Sequence, residues 1–152
     1  MFRIKIASGL VFALFVLLSA CASVPVATQP VSENGQELEN THWQLVSFDS
    51  TDSETPVVDG TEITLNFDSD GQATGSAGCN SYGGVYRVEQ GQLTIGEVVS
   101  TLMACTDTAI MDQEVQYLTA LQTTGEFELS EERLIIHFGD GLSTLNFVKI
   151  SE

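Results

Sequence analysis

The sequence predicts a mainly β fold with one helix (α+β): a small antiparallel barrel-like domain behind a signal peptide and a flexible tether. Apolar residues alternate with polar ones in several short segments, which is typical of half-buried strands. Turn dipeptides separate these segments. Only one stretch repeats apolar residues at helical spacing. Many short antiparallel strands and one helix indicate a closed or nearly closed barrel, with the helix packed on it or plugging it.

The N-terminus has the features of an export signal. Arg3 and Lys5 precede an apolar stretch from Ile6 to Leu18, shorter than the roughly 20 residues that a spanning helix needs. The stretch ends in Leu18-Ser19-Ala20-Cys21, the residue order of a bacterial lipobox. We therefore expect cleavage before Cys21 and lipidation of its thiol, which would anchor the protein to a membrane. The alternative is an ordinary secretory signal with a chance cysteine.

Composition divides the chain into three parts: a signal peptide at 1–20, a lipidated cysteine and linker at 21–40, and a folded domain at 41–152. The linker carries Pro25, Pro30 and scattered polar residues without an apolar period, so it is expected to be a flexible tether. Residue 22 is Ala rather than Asp. In a Gram-negative host of the enteric type, this favours sorting to the outer membrane, facing the periplasm.

Acidic residues dominate beyond the signal. All 21 acidic residues but only three basic ones follow residue 20, so the mature chain has a formal charge of −18. Nucleic-acid binding is disfavoured because phosphates need a basic footprint. The charge is typical of a solvated, self-repelling surface or of a salt-adapted host. A specific cationic partner is the alternative.

The domain contains seven candidate strands. Ile63, Leu65 and Phe67 share one face of the most regular of them. The candidates are Trp43–Phe48, Thr61–Phe67, Tyr82–Val88, Gln92–Ile95, Glu126–Leu129, Leu134–Phe138 and Leu145–Phe147. Hairpin turns are predicted at Asp70-Gly71, Gln90-Gly91 and Asp140-Gly141, and a longer loop at Asp49–Gly60.

One helix is predicted between the fourth and fifth candidate strands. Its apolar face is expected to consist of Met111, Val115, Leu118 and Leu121. Asp107 or Thr108 can cap its start, and Gly125 can close its end. The expected core residues are Trp43, Ile63, Leu65, Phe67, Leu118 and Phe147.

Two thiols remain after lipidation of Cys21. Cys79 and Cys105 form an even pair in an exported domain, which favours a disulfide between them. Two separately buried free thiols are the alternative, because cysteine also packs as a small apolar residue.

The motifs of the domain resemble those of the META domain, the HslJ-like family. Gly78-Cys79-Asn80-Ser81-Tyr82-Gly83-Gly84-Val85-Tyr86 is followed by Gly91-Gln92-Leu93, by Ser100-Thr101-Leu102-Met103-Ala104-Cys105, and by the helix with Glu114 and Leu118. The resemblance spans Trp43 to Val148. It implies a small barrel-like domain with one helix, often in envelope lipoproteins linked to heat shock, stress or drug tolerance, and no established enzymatic reaction. Leu102 departs from relatives that often have Lys or Arg there.

The candidate recognition element consists of Asn80, Tyr82 and Tyr86. The competing interpretation of Asn80 is structural, with its side chain satisfying backbone groups at a bend. The glycines between Gly71 and Gly84 lack the Lys of a phosphate-binding loop, so they predict bends and bulges instead.

Catalytic and metal sites are not predicted. His42 and His137 could complete a Cys–His hydrolase only if the fold brought them to Cys79 or Cys105 beside an acid. His137 is opposite in phase to its apolar neighbours, which predicts solvent exposure. Asp68-Ser69-Asp70-Gly71 begins like a calcium loop but lacks the later ligands. No cofactor is expected.

The sequence thus favours a non-catalytic envelope lipoprotein that contacts an unidentified envelope protein or aids stress tolerance. The alternative is a carrier of a small apolar ligand inside the barrel. Small barrels are usually filled by their own side chains, so an empty apolar cavity of about 300 Å³ or more would favour the carrier.

Overall fold

A computed structural model describes residues 35–151. This part of the chain contains nine strands and one α-helix. Their bounds are β1 (Thr41–Ser50), β2 (Ser53–Pro56), β3 (Thr64–Phe67), β4 (Gln72–Ser76), β5 (Ser81–Glu89), β6 (Gln92–Ser100), α1 (Thr108–Leu121), β7 (Thr124–Leu129), β8 (Arg133–Phe138) and β9 (Ser143–Lys149).

Antiparallel pairing of sequential strands closes the sheet into a barrel. Strands β3 to β9 follow one another in space as in sequence, and β9 returns to β1, where Leu45 lies opposite Phe147. The ten-residue β1 pairs through its first half with β3 and through its second half with β2. Eight strands, β1 and β3–β9, therefore form the barrel, and β2 is an appendage, which confirms the predicted fold class.

Alternating side chains fill the interior. Trp43, Ile63, Leu65, Phe67 and Phe147 are buried, as predicted. Leu118 is only partly buried and packs at the margin of the core, so its prediction as a core residue was wrong. A register shift in β1 between Leu45 and Ser47 buries Ser47 and Phe48 in succession. A bulge of this kind lets the strand bend around the core.

The predicted hairpin turns are confirmed, but two strands were missed. The segments 68–71, 90–91 and 139–142 connect β3 to β4, β5 to β6 and β8 to β9. Strand β2 lies in the segment predicted as the loop Asp49–Gly60. All its residues are exposed, so it has no apolar alternation and forms by pairing with β1. Strand β4 runs through the glycine-rich stretch and buries only Ala73 fully.

The helix is where it was predicted, but it faces the barrel through different residues. Asp107 caps its start by accepting a hydrogen bond from Ala109 N–H at 2.8 Å, as expected. Gly125 does not close its end: the helix stops at Leu121, and Gly125 belongs to β7. The buried helix residues are Gln113, Glu114, Tyr117, Ala120 and Leu121, whereas Val115 is exposed. The apolar-face prediction was therefore wrong for Val115 and missed Tyr117.

The fold begins earlier than the predicted boundary at residue 41. Gln36–Leu38 form a 3₁₀ turn, and Leu38 is fully buried in the core. The Leu38 carbonyl accepts a hydrogen bond from the Thr41 hydroxyl. This apolar anchor ties residues 35–40 to the barrel, so they belong to the domain and not to the predicted tether. The signal peptide, Cys21 and the rest of the tether lie outside the described residues.

Candidate functional site

Asn80 is the centre of a polar cluster that joins three segments of the domain. Its side-chain N–H groups donate to the Met103 carbonyl at 3.1 Å and to Glu114 Oε1 at 2.7 Å. Its Oδ1 accepts from the Thr101 hydroxyl and from Met103 N–H, each at 2.7 Å. All four hydrogen-bonding positions of the buried amide are thus used within the protein. Asn80 acts here as a structural connector, which agrees with the second interpretation of its role.

Glu114 supplies the helix side of this cluster. It is buried, and its Oε2 accepts from Asn80 N–H at 2.7 Å and from Cys79 N–H at 3.3 Å. Together with the Asn80 side chain, three N–H donors satisfy the carboxylate. Such charge-assisted bonds hold the Cys79–Asn80 bend onto the helix. Charge on Glu114 therefore stabilises a bend between strands β4 and β5.

A disulfide joins the same bend to the start of the helix. Cys79 and Cys105 are bonded, with their Cα atoms 6.1 Å apart and 26 positions apart in sequence. The predicted pairing is confirmed in the structure. Residues 101–105, called here the latch segment, are thereby held at one end by Asn80 and at the other by the disulfide.

Tyr82 belongs to a buried phenol pair. Its hydroxyl donates to the Thr64 carbonyl at 2.9 Å and accepts from the Tyr117 hydroxyl at 2.7 Å. The two rings meet edge to face, with centroids 5.6 Å apart. Burial raises the pKa of both phenols, and the neighbouring Tyr82 raises the pKa of Tyr117 further. The pair is a neutral, internally satisfied part of the core.

Tyr86 is similarly committed to the barrel. Its hydroxyl donates to the Asp68 carbonyl at 2.9 Å, and its ring lies edge to face against Phe67. Asn80, Tyr82 and Tyr86 are all buried, so none of the three predicted recognition residues presents its side chain at the surface. The structure brings Asn80 and Tyr82 to the helix, through Glu114 and Tyr117 respectively, and leaves Tyr86 elsewhere.

Gln113 ties the helix to the loop before β3, and sequence reasoning missed it. Its Oε1 accepts from Val58 N–H at 2.6 Å, and its Nε2 donates to the Thr61 hydroxyl at 3.1 Å. An apolar pattern does not include Gln113 and Glu114, because both are polar, although both are buried. The signal that could have found them is their position on the same helix face as Tyr117.

The other candidate chemistries have structural explanations. Asp68 Oδ1 accepts from Asp70 N–H and Gln72 N–H, which stabilises the hairpin turn at the calcium-loop-like sequence. Partly exposed His137 lies 3.5 Å from Glu128. His42 Nδ1 lies 3.0 Å from Asn66 Oδ1. Within residues 35–151, no group of three or more His, Cys, Asp or Glu residues could hold a metal ion.

The surface depressions formed by residues 35–151 include two of similar size. One of about 450 Å³ is lined by Gln92, Glu126, His137 and the segment 139–141, among others. The other, of about 390 Å³, includes His42, Asn66 and Asp68. Both are partly open and mix polar with apolar lining, whereas the interior is occupied by aromatic and aliphatic side chains. Neither depression has the enclosed apolar character that would favour the carrier.

The sequence between residues 36 and 151 matches the model of the META domain. The chain belongs to the META domain family. This confirms the resemblance that the Gly78–Tyr86 and Ser100–Cys105 motifs indicated. No curated protein matches the chain.

Solved structures share the META fold. A protein from Burkholderia xenovorans, solved by NMR, is 29% identical with a TM-score of 0.67; the match covers 90% of this chain and 100% of that one. A DUF4847 family protein from Bacteroides vulgatus is 12% identical with a TM-score of 0.55, over 76% of this chain and 96% of that one. The second likeness shows the fold alone. Over residues 35–151, no helix of this META protein is long and apolar enough to cross a bilayer.

Proposed function

We propose that this META protein is a non-catalytic, lipid-anchored module that binds another envelope protein and contributes to stress tolerance. The observation that carries the proposal is the latch segment. The buried side chain of Asn80, itself bound by Glu114, holds this segment, while Leu102 within it is almost fully exposed. A rigidly held, solvent-facing apolar loop favours contact with a partner over chemistry on a small substrate.

The thiols and imidazoles support the non-catalytic part of the proposal. Cys79 and Cys105 are bonded to each other, so neither is available as a thiolate nucleophile. His42 and His137 have Asn66 and Glu128 respectively as side-chain neighbours. Acyl transfer would need a nucleophile, a base and an oxyanion site within hydrogen-bonding reach of one another.

Membrane attachment is proposed from the sequence alone. Cys21 precedes the first described residue, Gly35, by a short tether, which would keep the domain close to the lipid surface. Cys21→Ser should move the protein from the membrane fraction to the soluble fraction of the envelope, because the acceptor thiol is lost. Fractionation followed by immunoblotting measures this. Retention of processed Cys21→Ser protein in membranes at the wild-type level would contradict lipidation at this position.

Partner binding is testable in the native membrane. A photo-crosslinking amino acid placed singly at exposed positions on different faces, such as Val46, Leu102, Val115 and Leu142, should give an adduct with one envelope protein. Loss of the gene should reduce survival after heat or envelope stress. Absence of adducts at every position, with and without stress, would contradict the module. Co-purification of a stoichiometric lipid would instead favour the carrier.

A further inference from the structure

Exposed apolar side chains lie in the latch segment and on the two elements that flank it, β6 and α1; they are called here the apolar patch. Its members are Val99 (71% exposed), Leu102 (96%), Met103 (59%) and Val115 (63%). The first three lie within five residues of one another in sequence. Val115 follows Glu114, whose carboxylate binds the same Asn80 side chain that binds Met103. Four large aliphatic side chains facing solvent around one cluster are typical of an interaction site rather than of isolated surface residues.

The patch is pre-organised for binding. Asn80 holds Thr101 and Met103 on either side of Leu102, through bonds of 2.7 Å from the Thr101 hydroxyl and Met103 N–H. The Cys79–Cys105 disulfide fixes the next residues of the segment. A partner would therefore lose little conformational entropy in ordering this surface.

The patch continues into a stretch of β6 that has no strand partner on one side, called here the open edge, although α1 contacts β6. The ladder between β6 and β7 consists of the single pair Gln92–Glu126, although β6 extends to Ser100. Beyond this pair, the part of the chain that the structure describes places no strand beside Gly96–Ser100 on that edge. Such an edge can accept an extended segment through main-chain hydrogen bonds, with side-chain contacts supplying specificity.

The negative charge around the patch favours a partner that carries basic residues. Glu97, Asp107 and Asp112 are exposed beside it, on β6 and at the start of α1. Glu97 has a left-handed φ of 52°, at a register irregularity between β5 and β6, so a main-chain ladder on this edge would be interrupted there. The edge carboxylate opposes pairing with an identical edge, because two Glu97 side chains would repel each other. The overall charge of −16 for the full chain also makes a second copy repulsive.

We propose that the apolar patch and the open edge of β6 form a docking site for an extended protein segment that combines aliphatic residues with Lys or Arg. The site gives a location and a partner chemistry to the interaction module, so it rests on the proposed function. Aliphatic side chains of the segment pack against Leu102 and Met103, and its basic residues lie beside Glu97 and Asp112. The occupant is a protein segment, not a second copy of this chain.

Peptide display on the purified full chain tests the site. A random-peptide library should enrich sequences that alternate aliphatic and basic residues. Fluorescence anisotropy of an enriched peptide should show affinity at least about tenfold weaker for Leu102→Glu, about 1.4 kcal/mol. Leu142→Glu is the matched control, because Leu142 is 64% exposed at the β8–β9 turn and should leave affinity unchanged. Glu97→Gln with Asp112→Asn should weaken binding and reduce its salt dependence.

Several results would overturn the docking site. These are no enrichment, enrichment of acidic peptides, equal loss in Leu102→Glu and Leu142→Glu, or a concentration-dependent dimer that Leu102→Glu abolishes in sedimentation analysis. Circular dichroism and thermal unfolding of both variants confirm that they remain folded.

The outcomes separate the docking site from the proposed function. Cellular crosslinks at Leu142 but not at Leu102 would preserve the interaction module and overturn this surface. Peptide binding that depends on Leu102, without any cellular crosslink, would preserve the surface and overturn the module.

Discussion

Asn80 holds the latch segment through hydrogen bonds, and Glu114 in turn holds Asn80. Neither side chain packs as an apolar core residue, yet both are about as buried as one. Their bonds span 34 positions in sequence and connect a strand bend to the helix. A buried polar network of this kind stabilises one arrangement strongly, because any unsatisfied member would cost free energy.

Asn80→Ala should therefore lower the free energy of unfolding by about 2–3 kcal/mol, because it removes four hydrogen bonds and leaves a buried carboxylate with fewer donors. Glu114→Gln should cost about 1–3 kcal/mol, since an amide N–H₂ would face an N–H donor. Urea unfolding measures both. Glu132→Gln, at an exposed turn residue, is the control and should change stability little. Equal effects of Glu114→Gln and Glu132→Gln would contradict the network.

The Tyr82–Tyr117 pair predicts a loss of stability at alkaline pH. Burial raises the pKa of both phenols above the ordinary 10.0. Above about pH 10, unfolded tyrosines ionise while the folded pair stays protonated, so the folded state binds more protons and the free energy of unfolding falls as pH rises. Each group contributes a slope of up to about 1.4 kcal/mol per pH unit.

Tyr82→Phe should make the decline above about pH 10 shallower by up to about one such slope, because one of the two phenols no longer titrates. Denaturant unfolding of both proteins at a series of pH values gives the comparison. Parallel pH profiles for wild type and Tyr82→Phe would contradict the contribution of the buried phenol. A lower stability of the variant at neutral pH is expected from the lost bond to the Thr64 carbonyl and does not affect the slope.

At the scale of elements, the helix shows why an apolar pattern alone misplaces a face. Met111, Val115 and Leu118 recur at helical spacing, yet Val115 is exposed and the other two are only partly buried, whereas the inward face mixes Tyr117 and Leu121 with Gln113 and Glu114. Both polar residues can be buried because the segments they contact, 58–61 and 79–80, offer backbone N–H and hydroxyl partners to their side chains.

Leu121→Ala should lower the free energy of unfolding by about 2–5 kcal/mol, the range for large-to-small substitutions of buried side chains. Leu121 is fully buried. Val115→Ala is the matched helix control and should change stability by less than about 0.5 kcal/mol. Leu118→Ala should lie between the two, because Leu118 is partly buried. Chemical denaturation of the three variants gives the order, and a larger loss for Val115→Ala than for Leu121→Ala would reverse the assigned face.

At the scale of the whole molecule, one disulfide reinforces a small barrel. The Cys79–Cys105 bond closes a 26-residue interval that contains β5, β6 and the latch segment. Restricting such a loop in the unfolded chain stabilises the fold by roughly 3.5 kcal/mol in the chain-entropy account. That is a large fraction of the total stability of a small domain.

Replacing both cysteines by serine should lower the free energy of unfolding by up to about 3.5 kcal/mol. Guanidinium unfolding without reductant measures the loss, and wild type unfolded with reductant should lose a similar amount. Mass spectrometry after unfolding and alkylation without reductant checks the bond itself. Alkylation of both Cys79 and Cys105 under these conditions would contradict the disulfide.

Local physics made much of the barrel predictable from sequence. Alternation placed Ile63, Leu65 and Phe67 on the core face, since successive strand residues point to opposite sides. Turn chemistry located the hairpins, including Gln90 and Gly91, which both adopt the positive φ that a two-residue hairpin loop favours. Asp107 was recognisable as a cap because capping depends on residues only two positions apart.

Tertiary structure alone decided the features that depend on residues distant in sequence. The return of β9 to β1, the pairing of β2 without an apolar pattern, and the burial of Gln113 and Glu114 all arise from contacts between separate segments. The sequence by itself determined a β-rich domain, its turns, its helix and its pair of thiols. Only the tertiary structure decided which polar residues are enclosed and that Leu102 faces solvent. The reason is that burial is a property of the packed molecule rather than of a local pattern.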